Sequence, residues 1–244
     1  MKPLKLVVLL LCLFIIVSCK KHAVTIPVKF TSTTYQQLGT YDSAGKPSYL
    51  VASDTISPNL RSFIANTLPE GKDLRMVHPE LLTTKAIADI AVTAPSDVFI
   101  TYISSGTGFT NTFGFYIYTT GQAPVSTKDI KTITYVFPNA GMHTTLYPGN
   151  KVKIGRFDAG TSIGFVILQN GWNMQARTVD NNVVHFCSND VLNPEVASDL
   201  KKHAVIINYV AENKVLIGFE DIDRTNPICD NDFNDMMFYC TLVP

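Results

Sequence analysis

No sign of charge predominates in this chain. Twenty Lys and Arg stand against twenty Asp and Glu, so no global field draws the protein onto nucleic acid. The five histidines, at 22, 78, 143, 185 and 203, form no HxxxH or HExxH pair, which leaves a zinc site without support. His203, after Leu-Lys-Lys, reads as a strand-edge residue. GxSxG, Walker and dinucleotide-type glycine patterns are missing, and no internal repeat argues for a solenoid. Trp172 is the single tryptophan; in QNGWN it reads as a cap on a sandwich core rather than a platform for a sugar. Cysteines number five. Cys12 and Cys19 fall at the N-terminus, and the odd set Cys187, Cys229 and Cys240 cannot all pair internally. Export would permit one disulfide, in any of three pairings, and one free thiol.

Long hydrophobic runs are confined to the start. Lys2 and Lys5 precede LVVLLLCLFIIV, and a small residue, Ser18, precedes Cys19. These are the parts of a secretory signal, and the run is short for a transmembrane span. IVSC at 16 to 19 resembles the bacterial lipobox, in which cleavage occurs before a cysteine that is then acylated. The division expected is a lipoprotein signal peptide at 1–18, a lipid anchor and tether at 19–39, and a single domain at 40–244. Several acyl chains on Cys19 would hold the protein stably on a lipid bilayer. Lys20, rather than Asp, at the next position favours the outer membrane under the lipoprotein sorting rule.

The remainder of the chain is rich in short strands. Ahead of most of them, NLRSFIANTLPEG at 59 to 71 places Leu60, Phe63, Ile64 and Leu68 at helical spacing, with Ser57 or Asn59 as cap and Pro69 with Gly71 as the stop. ELLTTKAIADI is a weaker second helical stretch. From residue 97 the period shortens: DVFITYIS, the turn GTGFTN and FGFYIYTT read as a hairpin, and KTITYVF, KVKIGRF, SIGFVIL, AVIINYVA and KVLIGF come after it. Turn residues Glu212 and Asn213 separate the last two. Short β-branched and aromatic runs at regular spacing predict a mainly β fold, an antiparallel β-sandwich or jelly roll with one or two short helices near the N-terminus.

Charge is concentrated in one place. In IGFEDIDRTNPICDNDFNDMMF, residues 217 to 238, six carboxylates (Glu220, Asp221, Asp223, Asp230, Asp232 and Asp235) share sixteen residues with one cation, Arg224. The local charge is about −5 by formal counting, and such crowding asks for a counter-ion or for wide spacing. Asp230, Asp232 and Asn234 alternate and Asp235 comes next, so their oxygens can converge on one hard cation if the backbone curls; calcium suits such donors. An EF-hand would need Gly and Glu where Asp235 and Thr241 stand, so this is a different loop. A hairpin between KVLIGF and MMFYCTLV would return Glu220 and Asp221 to the same ion. The alternative is a solvated acidic loop. A glycosidase would need two separated carboxyls across a sugar cleft, which this crowding does not suit.

Taken in order, DVFITYISSGTGFTNTFGFYIY, TITYVFPNAG, GNKVKIGRFDAGTSIGFVILQNGW, LNPEVASDLKKHAVI and IGFEDIDRTNPICDNDFNDMMFY resemble the LruC-type domain of bacterial surface lipoproteins and adhesins (domain of unknown function 4114) over about residues 40 to 243. The resemblance implies a secreted β-rich module without established catalysis. Its acidic segment, associated there with calcium, maps onto Glu220, Asp221, Asp230, Asp232, Asn234 and Asp235. RTNPIC departs from the usual Gly-rich version, and Asp223 is not carried over. The expectation is a lipid-anchored, non-catalytic calcium-binding module of the cell envelope with a glycan or peptide ligand. A structural or assembly lipoprotein using calcium for stability alone, and a carbohydrate-active hydrolase, are the competing readings.

Overall fold

A computed structural model describes residues 30–83 and 89–244. The signal, the lipobox and Cys19 lie outside the described residues, as does part of ELLTTKAIADI. The chain is mainly β, arranged as two facing sheets. One sheet runs in the order β1 (Thr34–Gln37), β6 (Thr132–Phe137), β5 (Thr112–Thr119), β8 (Thr161–Leu168), β11 (His185–Cys187), with β3 (Ile90–Val92) also pairing β8. The other runs β12 (Ala204–Tyr209), β13 (Lys214–Phe219), β14 (Met236–Val243), β4 (Ser96–Ser105), β7 (Lys151–Phe157), β2 (Leu50–Val51). A two-stranded ribbon, β9 (Trp172–Asn173) with β10 (Thr178–Val179), stands apart. All pairings are antiparallel except β1 with β6.

The inner strands β8, β13 and β14 are apolar nearly end to end because both of their faces are largely covered, whereas β7, KVKIGRF, alternates between buried and exposed side chains. Along β14, Met236, Phe238 and Cys240 enter the core between the sheets, while Met237 and Tyr239 point to the opposite face, as the period of two requires. That face is capped by α1 (Pro58–Thr67) and the short α2 (Leu74–Val77), whose Leu60 and Leu74, with Leu68 just beyond α1, meet Ile103, Leu216, Met237 and Tyr239. Ser57 caps α1 as the sequence predicts: its Oγ accepts from the Leu60 N–H at 3.0 Å, and Pro58 occupies the first turn, where no amide donor is needed. The helix stops at Thr67, a turn before Gly71.

Two expectations change. β4 and β5 do not form a hairpin: β4 is flanked on both sides by β14 and β7, so it has no edge left, and GTGFTN carries the chain across to the other sheet. Six residues are enough to span sheets packed about 10 Å apart. The sheet also begins inside the 19–39 segment read as a tether, since β1 pairs β6 and Phe30 is buried on the His185 ring at 4.5 Å. Cys187, Cys229 and Cys240 are all free thiols.

Candidate metal centre

The acidic loop closes as a hairpin. Phe219, the last residue of β13, pairs with Met236, the first of β14, so Glu220 and Asp221 stand at one foot of the loop and Asp235 at the other. The main-chain N–H of Asp221 donates to Asp235 Oδ2 at 2.9 Å and ties the feet together. Between them the backbone curls through two left-handed residues, Asn231 (φ 60°) and Phe233 (φ 59°). Asn accepts this conformation readily, whereas for Phe it costs about 1–2 kcal/mol. Phe233 is held there because its ring is wholly buried in the cluster under α1, with the Arg224 guanidinium 5.2 Å above it.

This curl brings Glu220, Asp230 and Asp232 together, one carboxylate oxygen from each lying within 4.8 Å of the others. Glu220 and Asp221 are wholly buried, and among the described residues both oxygens of Glu220 and Oδ1 of Asp221 have no hydrogen-bond partner. Burial, and then the charge of Asp235, pushes the Glu220 carboxyl up to about 8. Burial likewise raises Asp221 and Asp235, the latter also through the charge of Asp221, and it raises Asp232. Among the described residues no protein cation pairs with any of the loop's six carboxylates. Arg224, the one cation in the loop, is turned to neutral acceptors: Asn231 Oδ1 at 2.8 Å and the carbonyls of Asp199 and Lys202 at 3.1 and 3.0 Å. Unpaired buried carboxylates are costly, and a hard cation bound among them would relieve that cost. The donors fit such an ion, being all oxygen; Cys229, whose thiol burial pushes well up, remains protonated and is a poor ligand for a softer metal.

The six residues singled out in the sequence thus divide. Glu220, Asp230 and Asp232 converge. Asp221 and Asp235 lie beside them and engage each other, and the Asn234 amide donates to the Leu68 carbonyl at 3.3 Å. Asp232 both joins this convergence and anchors the loop, accepting from Gly71 N–H at 2.8 Å and Asn234 N–H at 3.1 Å. With Leu74 N–H donating to the Asn231 carbonyl at 3.0 Å, the loop is stitched to the α1–α2 connection. Asp223 closes its own turn, accepting from Thr225 N–H and Oγ at 2.8 and 2.7 Å. Beside Asn234 a cleft of about 500 Å³ opens between α1 and β4, walled by Ile64, Leu68, Ile103, Ser105 and Met237.

Several supporting residues carry no sequence signal. Asn111, at the end of the crossing between sheets, donates from Nδ2 to Asp221 Oδ2 and accepts from Asn170 N–H at 3.0 Å. Gln169 Nε2 donates to the Asp221 carbonyl at 2.7 Å. His203, which immediately precedes β12 at the edge of its sheet, is wholly buried, its Nδ1 against the Glu220 carbonyl at 2.9 Å.

Gly218 shows how tightly the loop is seated. A Cβ there would lie 2.4 Å from the carbonyl oxygen of Phe233, the residue that follows Asp232. Gly218→Ala is expected to cost about 1–3 kcal/mol by forcing that segment outward, read as a lowered urea midpoint.

Residues 157–242 match the model of a domain of unknown function (DUF4114). The matched stretch runs from the end of β7 through β14, the acidic loop included, and the family is the one that the motifs resemble, over a shorter span than the 40 to 243 read from them. No curated protein and no solved structure matches the chain.

Proposed function

We propose that this protein is a calcium-binding β-sandwich module, held at the bacterial envelope by lipid on Cys19, that binds a glycan or peptide and breaks no bonds. The observation that carries the calcium half is the wholly buried Glu220, with neither oxygen satisfied, facing Asp230 and Asp232. Oxygens bound to one calcium at roughly 2.3–2.6 Å can stand up to about 5 Å apart, whereas magnesium's roughly 2.0–2.1 Å asks for a tighter set. A spread of up to 4.8 Å suits the larger ion. Bound calcium would draw on the loop's main-chain and amide oxygens as well as these carboxylates.

The binding half rests on the cleft beside Asn234, whose wall is continuous with the loop that the cation would order. Clefts of this size with a mostly apolar lining and a few polar groups are common ligand sites. Crowded carboxylates around an ion do not supply the separated acid and base of a hydrolase. Glycan and peptide arrays probed with residues 20–244, with and without calcium, test this half: calcium-dependent retention supports it. Turnover of a polysaccharide that is lost in Asp232→Ala would replace it with the hydrolase reading.

One observation favours the second reading, calcium for stability alone. The loop is stitched to α1 and α2 through Asp232, Asn231 and Asn234, so an ion there would brace the fold whether or not the cleft is used. Array binding that is indifferent to calcium, alongside a calcium-dependent melt, selects that reading.

The anchor is a separate prediction from IVSC and the charged, apolar start. Among the described residues no helix is long and apolar enough to cross a membrane. Cys19→Ala is expected to block acylation and cleavage before residue 19 and to leave the unprocessed chain. Wild-type protein recovered from the soluble fraction with an unmodified N-terminal cysteine by mass spectrometry contradicts it.

A further inference from the structure

Glu220 sits where the chain leaves β13, one residue past the last rung of the β12–β13 ladder, in which Ala204 faces Phe219. Its main chain is nevertheless held on both sides by a single residue. The Glu220 N–H donates to the His203 carbonyl at 2.9 Å, and the Glu220 carbonyl lies 2.9 Å from His203 Nδ1. A carbonyl can only accept, so Nδ1 carries a proton. The other ring nitrogen, Nε2, lies 2.6 Å from Glu195 Oε1, and neither side chain is exposed to solvent. The face of the imidazole stacks on Phe186, 3.9 Å between centroids and 13° from parallel. The ring is thus fixed at both edges and on a face, far more than a core histidine needs to satisfy its own polar atoms.

We infer that His203, held in place by Glu195, is a positioning residue of the cation centre: it locks the main chain of Glu220 so that the unpartnered carboxylate faces Asp230 and Asp232. The inference rests on the calcium reading of that centre. Where a strand ends, the next carbonyl has no ladder partner, and the side chain beyond it is free to swing with the backbone; the His203 ring replaces the missing rung. Gln169 does the same for the next carbonyl, that of Asp221, so two consecutive peptide units at the foot of the loop are clamped by side chains. Glu195 comes from a different segment, and its carboxylate holds the far edge of this ring while also interacting with the main chain of Arg224 in the loop.

Isothermal titration of metal-stripped protein with calcium chloride tests this, comparing wild type with His203→Phe and His203→Asn. Phe keeps the ring volume and the stack on Phe186 but makes neither hydrogen bond. Asn places a donor near the Nδ1 position and gives up Glu195. Loss of a partner that orients a ligand typically costs about 10- to 100-fold in metal affinity, so His203→Phe should bind calcium at least about tenfold more weakly. His203→Asn should fall between it and wild type, about three- to tenfold weaker than wild type. Stoichiometry should not change, and a purely structural histidine would shift the metal-free melting curve while leaving the dissociation constant of the folded protein alone. Should the Phe variant not fold, the Asn variant decides. Dissociation constants within about twofold of wild type in the variants that fold overturn the inference. Absence of calcium binding by wild type overturns the calcium reading itself, a different outcome from the same titration.

Discussion

On the proposed calcium reading, stripping calcium is expected to lower the melting temperature by about 5–10 °C at near-neutral pH. An ion that binds only the folded chain at about 100 times its dissociation constant contributes about 2.7 kcal/mol, and a domain of this size shifts by roughly 2–4 °C per kcal/mol. Extracellular calcium modules often bind in the millimolar range, so the metal concentration must match. Magnesium restores little, because it gives up its waters reluctantly. The same site dictates the pH dependence. In metal-free protein the Glu220 carboxyl sits at about 8, against an ordinary 4.5, so the folded chain holds a proton that the unfolded chain releases. The folded state is then favoured most below pH 4.5 and loses stability as pH rises toward 8. Glu220→Gln, which needs no counter-charge, is expected to remove the Glu220 share of that slope, leaving the part that Asp221 and Asp235 contribute, to make the metal-free protein more stable than wild type at pH 8, and to abolish the gain from calcium. Because protons and calcium compete for the same oxygens, calcium affinity rises with pH over this interval. Differential scanning calorimetry across pH, with calcium and with chelator, reads all of these effects. A Glu220→Gln protein less stable than wild type without metal contradicts an unsatisfied buried carboxylate at this position.

Phe113→Ala has an effect of similar or greater size for an unrelated reason. Phe113, on β5, is wholly buried and stacks on Phe238 of β14 at 3.9 Å between centroids, with Phe165 at 5.7 Å, Phe219 at 6.1 Å and Phe137 at 6.4 Å around it. Three of these rings come from one sheet and two from the other, so this cluster is where the sandwich is joined. Aromatic pairs add about 0.5–1.5 kcal/mol beyond burial, and truncating a buried Phe costs about 3–5 kcal/mol because the surroundings relax only in part. The urea midpoint should fall accordingly with its slope unchanged. Loss of less than about 1 kcal/mol would mean that the two sheets are not joined here. Calcium titration separates the two classes of variant: Phe113→Ala weakens the fold, whereas Glu220→Gln removes the response to metal.

The longer strands β4 to β8 and β12 to β14 were legible because each carries a run of apolar and β-branched residues bounded by turn chemistry, and Ser57 as a candidate cap marked the helix for the same local reason; β1, TYQQ, has no such run and was read as tether. Partnership was not. β4 and β5 are neighbours in sequence, with a glycine-containing stretch between them, yet lie in different sheets. Where a strand is buried on both faces, as along β4 and β14, the apolar pattern says that the segment is a strand but not which edge it meets. The acidic loop stood out through charge and alternation, and the hairpin that closes it was implied by the flanking runs. Which three carboxylates converge depends on left-handed turns at Asn231 and Phe233, and nothing about a phenylalanine announces that conformation. Asn111, Gln169, Glu195 and His203 reach the site only through tertiary contact, from segments tens of residues away. Their roles could be read only once the sheets were assembled.

Everything proposed for the loop turns on whether the buried carboxylates at the foot of the β13–β14 hairpin hold calcium. The decisive experiment titrates calcium into metal-stripped residues 20–244 by calorimetry, beside Glu220→Gln and Asp232→Asn. Saturable binding to wild type is expected, with both variants at least about tenfold weaker and Asp223→Asn close to wild type. No saturable heat with wild type at millimolar calcium, in protein shown metal-free by elemental analysis, or equal binding by wild type and Glu220→Gln, would contradict a calcium site here.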